Sequence, residues 1–349
     1  MTPAGYREAR AASPPLPEPR GALSGAVGDA LSGGPDRLPG PADADRADPY
    51  RGDLQLALHM LYELHYQGFA EVAEGAEWDP EVIRARNALE EPFLAALRAG
   101  VPGGGLDEAM EGVLREPPPG EDPGVSAYLA REGELWQVRE YAALRSVYHL
   151  KEADPHAWAI PRLHGRAKAA MVAVEFDEFG AGRAEDVHAR LFADLMDGLG
   201  LDHAYGRYVD AAPAEALATV NLMSLLGLHR SLRGALAGHF AAVETASSPG
   251  SRLLAAAMRR VGAGASAERF YDEHVEADAV HEQVVRHDVV GPLAEADPRL
   301  AADAAFGVEA TELLEDRLGA VLLRAWREGR SALRRPLAAA DGGGPALGR

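Results

Sequence analysis

Within the segment FYDEHVEADAVHEQV, His274, Asp278 and His281 stand at positions i, i+4 and i+7. On an α-helix these positions fall within an arc of ~60°, so two imidazoles and one carboxylate share a face over two turns. Imidazole and carboxylate suit divalent first-row metals. The chain contains no cysteine, so thiolate zinc sites, iron–sulfur clusters, disulfides and cysteine nucleophiles are all excluded. A polar, solvated helix face that carries two histidines has the same spacing, and the pattern alone leaves both readings open.

A second cluster lies in AMVAVEFDEFGAGRAEDVHARLF, where Glu178 precedes a Gly-Ala-Gly interruption and His188 follows ten residues on. In a straight helix ten residues rise ~15 Å, too far for both side chains to reach one metal pair. Gly180 and Gly182 permit the break that would let them converge. An ordinary helix–turn–helix with exposed acids is the competing reading. Glu152 closes a third segment, WQVREYAALRSVYHLKEADP, on roughly the face of an apolar stripe formed by Val138, Tyr141 and Tyr148. An inward carboxylate needs a cation, a proton or an arginine, and Arg145 is the nearest alternative to a metal. Glu244 sits near the expected C-terminal end of a long helix, where the macrodipole disfavours a carboxylate. His229 and His239 share that helix and read more simply as core or surface histidines.

The elements that must position these groups are helical. Apolar residues recur at three and four, Ala, Leu, Glu and Arg abound, and no strand pattern emerges. The periodicity predicts helices over about 50–74, 79–99, 106–114, 124–152, 162–179, 184–198, 213–246, 250–261, 267–288 and 297–332, punctuated by PGGG, EPPPGEDPG, DPHAWAIP and SSPG. Residues 1–48 are rich in Pro, Gly, Ala and Asp without apolar periodicity, which predicts a disordered tail. Residues 336–349 predict another. Between them, 49–335 reads as a single helical domain, with residues 50–123 given no role.

A formal charge of −19 argues against nucleic acid as a partner. Arg324, Arg327, Arg330, Arg334 and Arg335 read as the solvated end of a last helix. No run approaches the ~20 apolar residues of a membrane span, and the N-terminus lacks an apolar signal core. A cytoplasmic location is therefore expected, with no membrane partner.

Taken in order, Glu152, Glu178 with His188, Glu244, and His274-x-x-x-Asp278-x-x-His281 resemble the ligand series of the haem-oxygenase-like di-iron oxidase and oxygenase family, also called iron-containing redox enzymes. The resemblance covers roughly residues 124–332. It implies an all-α, haem-oxygenase-like bundle of about seven core helices, with extra helices before it. It further implies two Fe(II) per chain bound by Glu152, Glu178, His188, Glu244, His274, Asp278 and His281, with Glu178 bridging and Glu244 an extra ligand found in some members. One iron would take Glu152, His188 and His281; the other would take His274, Asp278 and Glu244. Four carboxylates match the charge of two ferrous ions. Oxygen is the implied co-substrate and a small molecule the implied substrate, oxidised by N-oxygenation, C–C cleavage or oxidative decarboxylation. Tyr148, Phe176, Phe179, Met223, Leu226 and Phe270 are candidate pocket residues. The resemblance is compatible with a homodimer and an external electron donor. Two other readings are a haem-binding or haem-degrading relative using His59 or His65, and a non-enzymatic helical scaffold.

Overall fold

The stretch AEALATVNLMSLLGL is apolar on every side, a pattern that suits a helix enclosed by others. In the computed structural model, which describes residues 13–115 and 124–337 apart from the side chains of Glu276, Asp278 and Ala279, this stretch is the helix Ala214–Leu228, and residues 216–227 are all buried. Numbering helices of eight or more residues, α1 is Ala22–Leu31, α2 Gly52–Glu63, α3 Pro80–Gly100, α4 Leu106–Val113, α5 Gly124–Arg131 and α6 Leu135–His149. Then follow α7 Gly165–Glu178, α8 His188–Gly198, α9 Ala214–Leu228, α10 Arg233–Val261, α11 Ala265–Val284 and α12 Pro298–Arg327. The fold is all-α, with no strand among the described residues.

Local chemistry sets the ends of the long helices. Asp79 and Asp297 cap α3 and α12 by accepting the backbone N–H groups of Glu81 (2.8 Å) and Arg299 (2.9 Å), each with proline at the first helical position. Gly262, at φ 69°, ends α10, and the N–H of Ala263 returns to the Met258 carbonyl at 3.0 Å. Beyond α11 the chain continues through a π-helical turn, Val285–Val290.

Helices α10 and α12 run side by side in the same direction and cross at unusually close range. A Cβ on Gly238 would stand 1.9 Å from the Ala304 carbonyl oxygen, and one on Gly307 would stand 1.9 Å from that of Ala235. Helix α10 also packs on α5 and α11, α11 on α8, and α2 on α9. Residues 50–123, without an assigned role from sequence, supply α2, which is buried from Leu54 to Glu63, and the layer α3 and α4 that covers α2 and α12.

Several expectations are corrected. Residues 13–48 do not form a disordered tail: Val27 of α1 is fully buried, and Asp53 accepts hydrogen bonds from the Ser24 hydroxyl (2.6 Å) and backbone (2.8 Å). The segment does carry a short apolar stripe, Leu23, Val27 and Leu31 at four-residue spacing, and all three are buried. Residues 1–12 and 338–349 lie outside the described residues, while Leu337 packs against the core. The long helix expected at 124–152 breaks between Arg131 and Leu135, next to Gly133, and ends at His149. The one expected at 213–246 instead breaks at His229–Leu232, and α10 runs unbroken through SSPG. Pro249 gives up its hydrogen bond to the Thr245 carbonyl, and the packed faces of α5 and α11 carry the helix through. Glu244 is therefore mid-helix, and the dipole argument made from its expected position fails.

Candidate metal centre

Five segments deliver six donors to one place. Glu152 lies in the turn after α6, Glu178 is the last residue of α7, His188 the first of α8, Glu244 lies mid-way along α10, and His274 and His281 are two turns apart on α11. All six are buried. The predicted break between Glu178 and His188 is present: Gly180, Ala181 and Gly182 all have positive φ (75°, 51° and 84°). A side chain on Gly180 would stand 2.7 Å from the Val187 backbone nitrogen, so this tight reversal needs glycine. It brings His188 Nδ1 to 2.8 Å from Glu178 Oε2.

The donors form two trios, Glu152–His188–His274 and Glu178–Glu244–His281, in each of which one ligand atom per residue lies within 4.8 Å of the others. His281 Nδ1 is 3.3 Å from Glu244 Oε2 and 3.6 Å from Glu178 Oε1. His188 falls with Glu152 as in the sequence-based partition, but His274 rather than His281 completes that trio, and His281 falls with Glu178 and Glu244. Asp278 lies on α11, but its side chain is outside the described residues.

The nitrogen chemistry fits a pair of cations. His274 Nδ1 donates to its own helix at the Phe270 carbonyl, 2.7 Å away, which leaves Nε2 with a lone pair. That Nε2 is buried with no hydrogen-bond partner and stands 4.0 Å from Glu152 Oε1. Two electron-rich groups held face to face in the interior need a cation between them. On His281, Nε2 donates to Asp177 Oδ2 at 3.2 Å, turning the Nδ1 lone pair toward Glu178 and Glu244. A carboxylate or carbonyl behind each imidazole is the arrangement that orients histidine on a metal. Among the described residues, Glu152 and Glu178 pair only with imidazoles. Arg145, the alternative partner of Glu152, pairs instead with Glu315 at 2.8 Å.

Two neighbours were missed from sequence. His149 donates to Glu152 Oε2 at 2.9 Å; it was an unremarked histidine three residues before a candidate ligand. Burial raises the Glu152 carboxyl, but positive charge beside it, first on His149, which also donates to it, and on His274 and His188 when these rings are protonated, outweighs burial and brings it down to about 2; cations bound beside neutral rings would act in the same direction. Glu175, one turn before Glu178, is 2% exposed with both oxygens unpartnered. Burial, reinforced by the charges of Glu178 and Glu244, pushes its carboxyl up to about 9. The i, i+3 spacing with Glu178 was the available signal, but Asp177 lies between them and points outward, so spacing alone could not choose.

A cavity of 20 Å³, lined by Tyr148, Phe240 and donors of both trios, touches the cluster. Of the other candidate pocket residues, Phe176 is 55% exposed and Phe179 37%, so neither belongs to it; Met223, Leu226 and Phe270 are core. Of the haem candidates, His65 is held by Arg86 (2.7 Å) and Glu77 (3.2 Å), and His59 lines a separate cavity. His229 pairs with Glu90 at 2.7 Å. His239 is linked to His156 at 3.1 Å and Thr311 at 2.7 Å. Both are structural partners outside the two trios. No helix among the described residues is long and apolar enough to cross a membrane.

The sequence profile of iron-containing redox enzymes matches residues 139–316, from α6 into α12, and so contains all six donors. Nitrosourea synthase of Streptomyces achromogenes subsp. streptozoticus is 25% identical over 147 residues, which is 42% of this chain. The chain spans only 31% of that relative's length. With the profile covering half of the sequence, the chain belongs to the iron-containing redox enzyme family.

Proposed function

We propose that this protein binds two iron ions between its two trios and uses molecular oxygen to oxidise a small molecule. The observation that carries the proposal is the pair of buried histidine–carboxylate trios linked through Glu178, whose two oxygens face His188 of one trio and His281 of its own. Glu152, His188 and His274 would hold one ion, and Glu178, Glu244 and His281 the other, and Glu178, with an oxygen toward a histidine of each trio, would contribute to both. Bound there, ferrous iron supplies the electrons and open coordination positions that oxygen reduction requires.

The chain's own residues hold and shield this centre. Phe270 and Asp177 fix the ring orientation of His274 and His281, and His149 fixes Glu152. Tyr148 and Phe240 close the adjoining space, whose 20 Å³ accommodates little more than a water-sized molecule. Bulk water is thereby kept from the reacting centre. Glu175 keeps its proton at neutral pH and so adds no charge beside the cluster. Among the outcomes that the family resemblance allows, the name of the Streptomyces relative, nitrosourea synthase, favours oxidation at nitrogen.

Anaerobic Fe(II) titration followed by oxygen exposure is the test. Two irons should bind per chain and oxygen should be consumed in stoichiometric relation to them. His274→Ala and Glu178→Ala should each lower the bound iron. No uptake, or uptake indifferent to both substitutions, refutes the proposal.

A further inference from the structure

Four buried side chains outside the two trios form a hydrogen-bonded line that crosses from α10 to α12. The Tyr148 hydroxyl stands 3.4 Å from His156 Nδ1, His156 Nε2 stands 3.1 Å from His239 Nε2, and His239 Nδ1 stands 2.7 Å from Thr311 Oγ1. At the far end the Thr311 hydroxyl donates to the Gly307 carbonyl at 2.7 Å. At the near end Tyr148 and His156 line the 20 Å³ space, together with Glu152, Glu178, Glu244 and His274.

The far end fixes the protons along the line. A carbonyl can only accept, so the Thr311 proton lies toward Gly307 and the Thr311 oxygen accepts from His239, which puts the His239 proton on Nδ1. The two facing Nε2 atoms share a single proton. Both rings are neutral, because burial lowers the pKa of His156 well below that of a free imidazole and that of His239 to about 4. His239 therefore offers a lone pair at Nε2, His156 donates its Nε2–H to it, and His156 Nδ1 is left to accept the Tyr148 hydroxyl proton.

This direction decides what the line can do. A relay that ends on a backbone carbonyl has no source from which to resupply a proton, so it cannot feed repeated reduction of oxygen. It can take one proton from Tyr148 and give it back. A phenol that loses an electron becomes a very strong acid, so a neutral imidazole at its hydroxyl is what allows a buried tyrosine to be oxidised and then restored. Among the described residues lining the space, Tyr148 alone carries a phenol, and none carries an indole or thiol. Tyr271, also buried and three residues before His274, has no acceptor for its hydroxyl.

We infer that Tyr148 is a one-electron donor to the iron centre once oxygen has oxidised that centre. The phenol O–H bond breaks, the electron passes to the iron, the proton forms an N–H bond at His156 Nδ1, and a neutral phenoxyl radical remains. One electron drawn from the organic substrate and the proton held on His156 restore the phenol. His239 and Thr311 are positioning residues that keep His156 in the tautomer able to accept. The inference rests on the iron and oxygen reading above.

To test it, the full chain is loaded anaerobically with Fe(II), exposed to oxygen without substrate and freeze-quenched for EPR, with iron uptake and oxygen consumption measured on the same samples. An organic radical should appear, and ring-deuterated tyrosine should collapse its hyperfine splitting. Tyr148→Phe should abolish the radical with iron uptake unchanged, whereas Tyr271→Phe should keep it. His156→Phe should slow its formation by at least about 100-fold. Thr311→Val should lower its yield and Thr311→Ser restore it. In the iron-free protein, NMR of ¹⁵N-labelled histidine should find His156 protonated on Nε2 and His239 on Nδ1. Iron uptake and oxygen consumption without a tyrosine radical overturn the inference and leave the iron reading standing. A radical that survives Tyr148→Phe, or the opposite pair of tautomers, does the same. Failure to bind iron removes both.

Discussion

Replacing Gly238 by alanine should destabilise the protein and weaken the proposed metal centre through one displacement. A Cβ there would lie 1.9 Å from the Ala304 carbonyl oxygen, where real contacts do not fall below 3.0 Å, so α10 and α12 must separate by at least ~1.1 Å. The obstructing atom is backbone and cannot rotate away. Overpacking of this kind costs about 1–3 kcal/mol, and the rigid partner puts this site at the upper end. Alanine's better helix propensity returns up to ~1 kcal/mol, leaving a net loss of about 2 kcal/mol. At ~2–4 °C per kcal/mol, Tm should fall by about 4–8 °C. Gly307→Ala makes the reciprocal clash with Ala235 across the same crossing, so its cost should be similar. Once one substitution has opened the crossing, the other finds the space already made. The double variant should therefore be less destabilised than the sum of the singles, by about 1 kcal/mol or more in a double-mutant cycle. Glu244 lies six residues beyond Gly238 on α10, so the same opening should carry it away from His281 and lower Fe(II) affinity. Guanidinium unfolding and anaerobic iron titration measure both effects. Strictly additive singles, or a Gly238→Ala protein as stable as the parent, would refute the close-crossing argument.

Three further outcomes are expected. Lys151→Met should cost about 3–5 kcal/mol in urea unfolding, because it strands the 2%-exposed Glu63 carboxylate; adding Glu63→Gln should recover much of the loss, and no recovery would mean that the pair is not what holds this region. Glu312, raised to about 7 by burial and by Asp316 and Glu315, keeps its proton in the fold and releases it when unfolded, so its contribution is complete below pH ~4.5 and fades as pH rises through 7. Glu312→Gln should accordingly leave stability unchanged at pH 4 and raise it by about 1–3 kcal/mol at pH 8; equal effects at both would contradict the assignment. Finally, Fe(II) held at ~100 times its Kd should stabilise the chain by about 2.7 kcal/mol in anaerobic thermal melts, reversibly with a chelator, and His274→Ala should abolish much of that gain.

How far the centre could be read from sequence depends on whether a ligand's position follows from its neighbours along the chain. His274 and His281 share a face because helical periodicity alone dictates it, and the break between Glu178 and His188 follows from two glycines and a length that no straight helix could bridge. Glu244 is the opposite case. Its helix runs through Pro249 because α5 and α11 grip it, and no feature of SSPG announces that support. Glu175 and Asp177 show the same limit at one turn's scale: of the three acids in VEFDEF these two, one buried and one exposed, are separated only by how α7 is rotated against its neighbours. The α1 segment was misread because its apolar stripe is only three residues long, Leu23, Val27 and Leu31, set among Gly, Ala and Pro, and it is reinforced by the hydrogen bond of Ser24 to Asp53. Six donors arriving from five segments mean that no segment contains the centre. It exists only where the α10–α12 crossing, the α7–α8 reversal and the turn after α6 are all in register, which is why substitutions at Gly238 or Gly307, neither of them a ligand, should be felt by the metal.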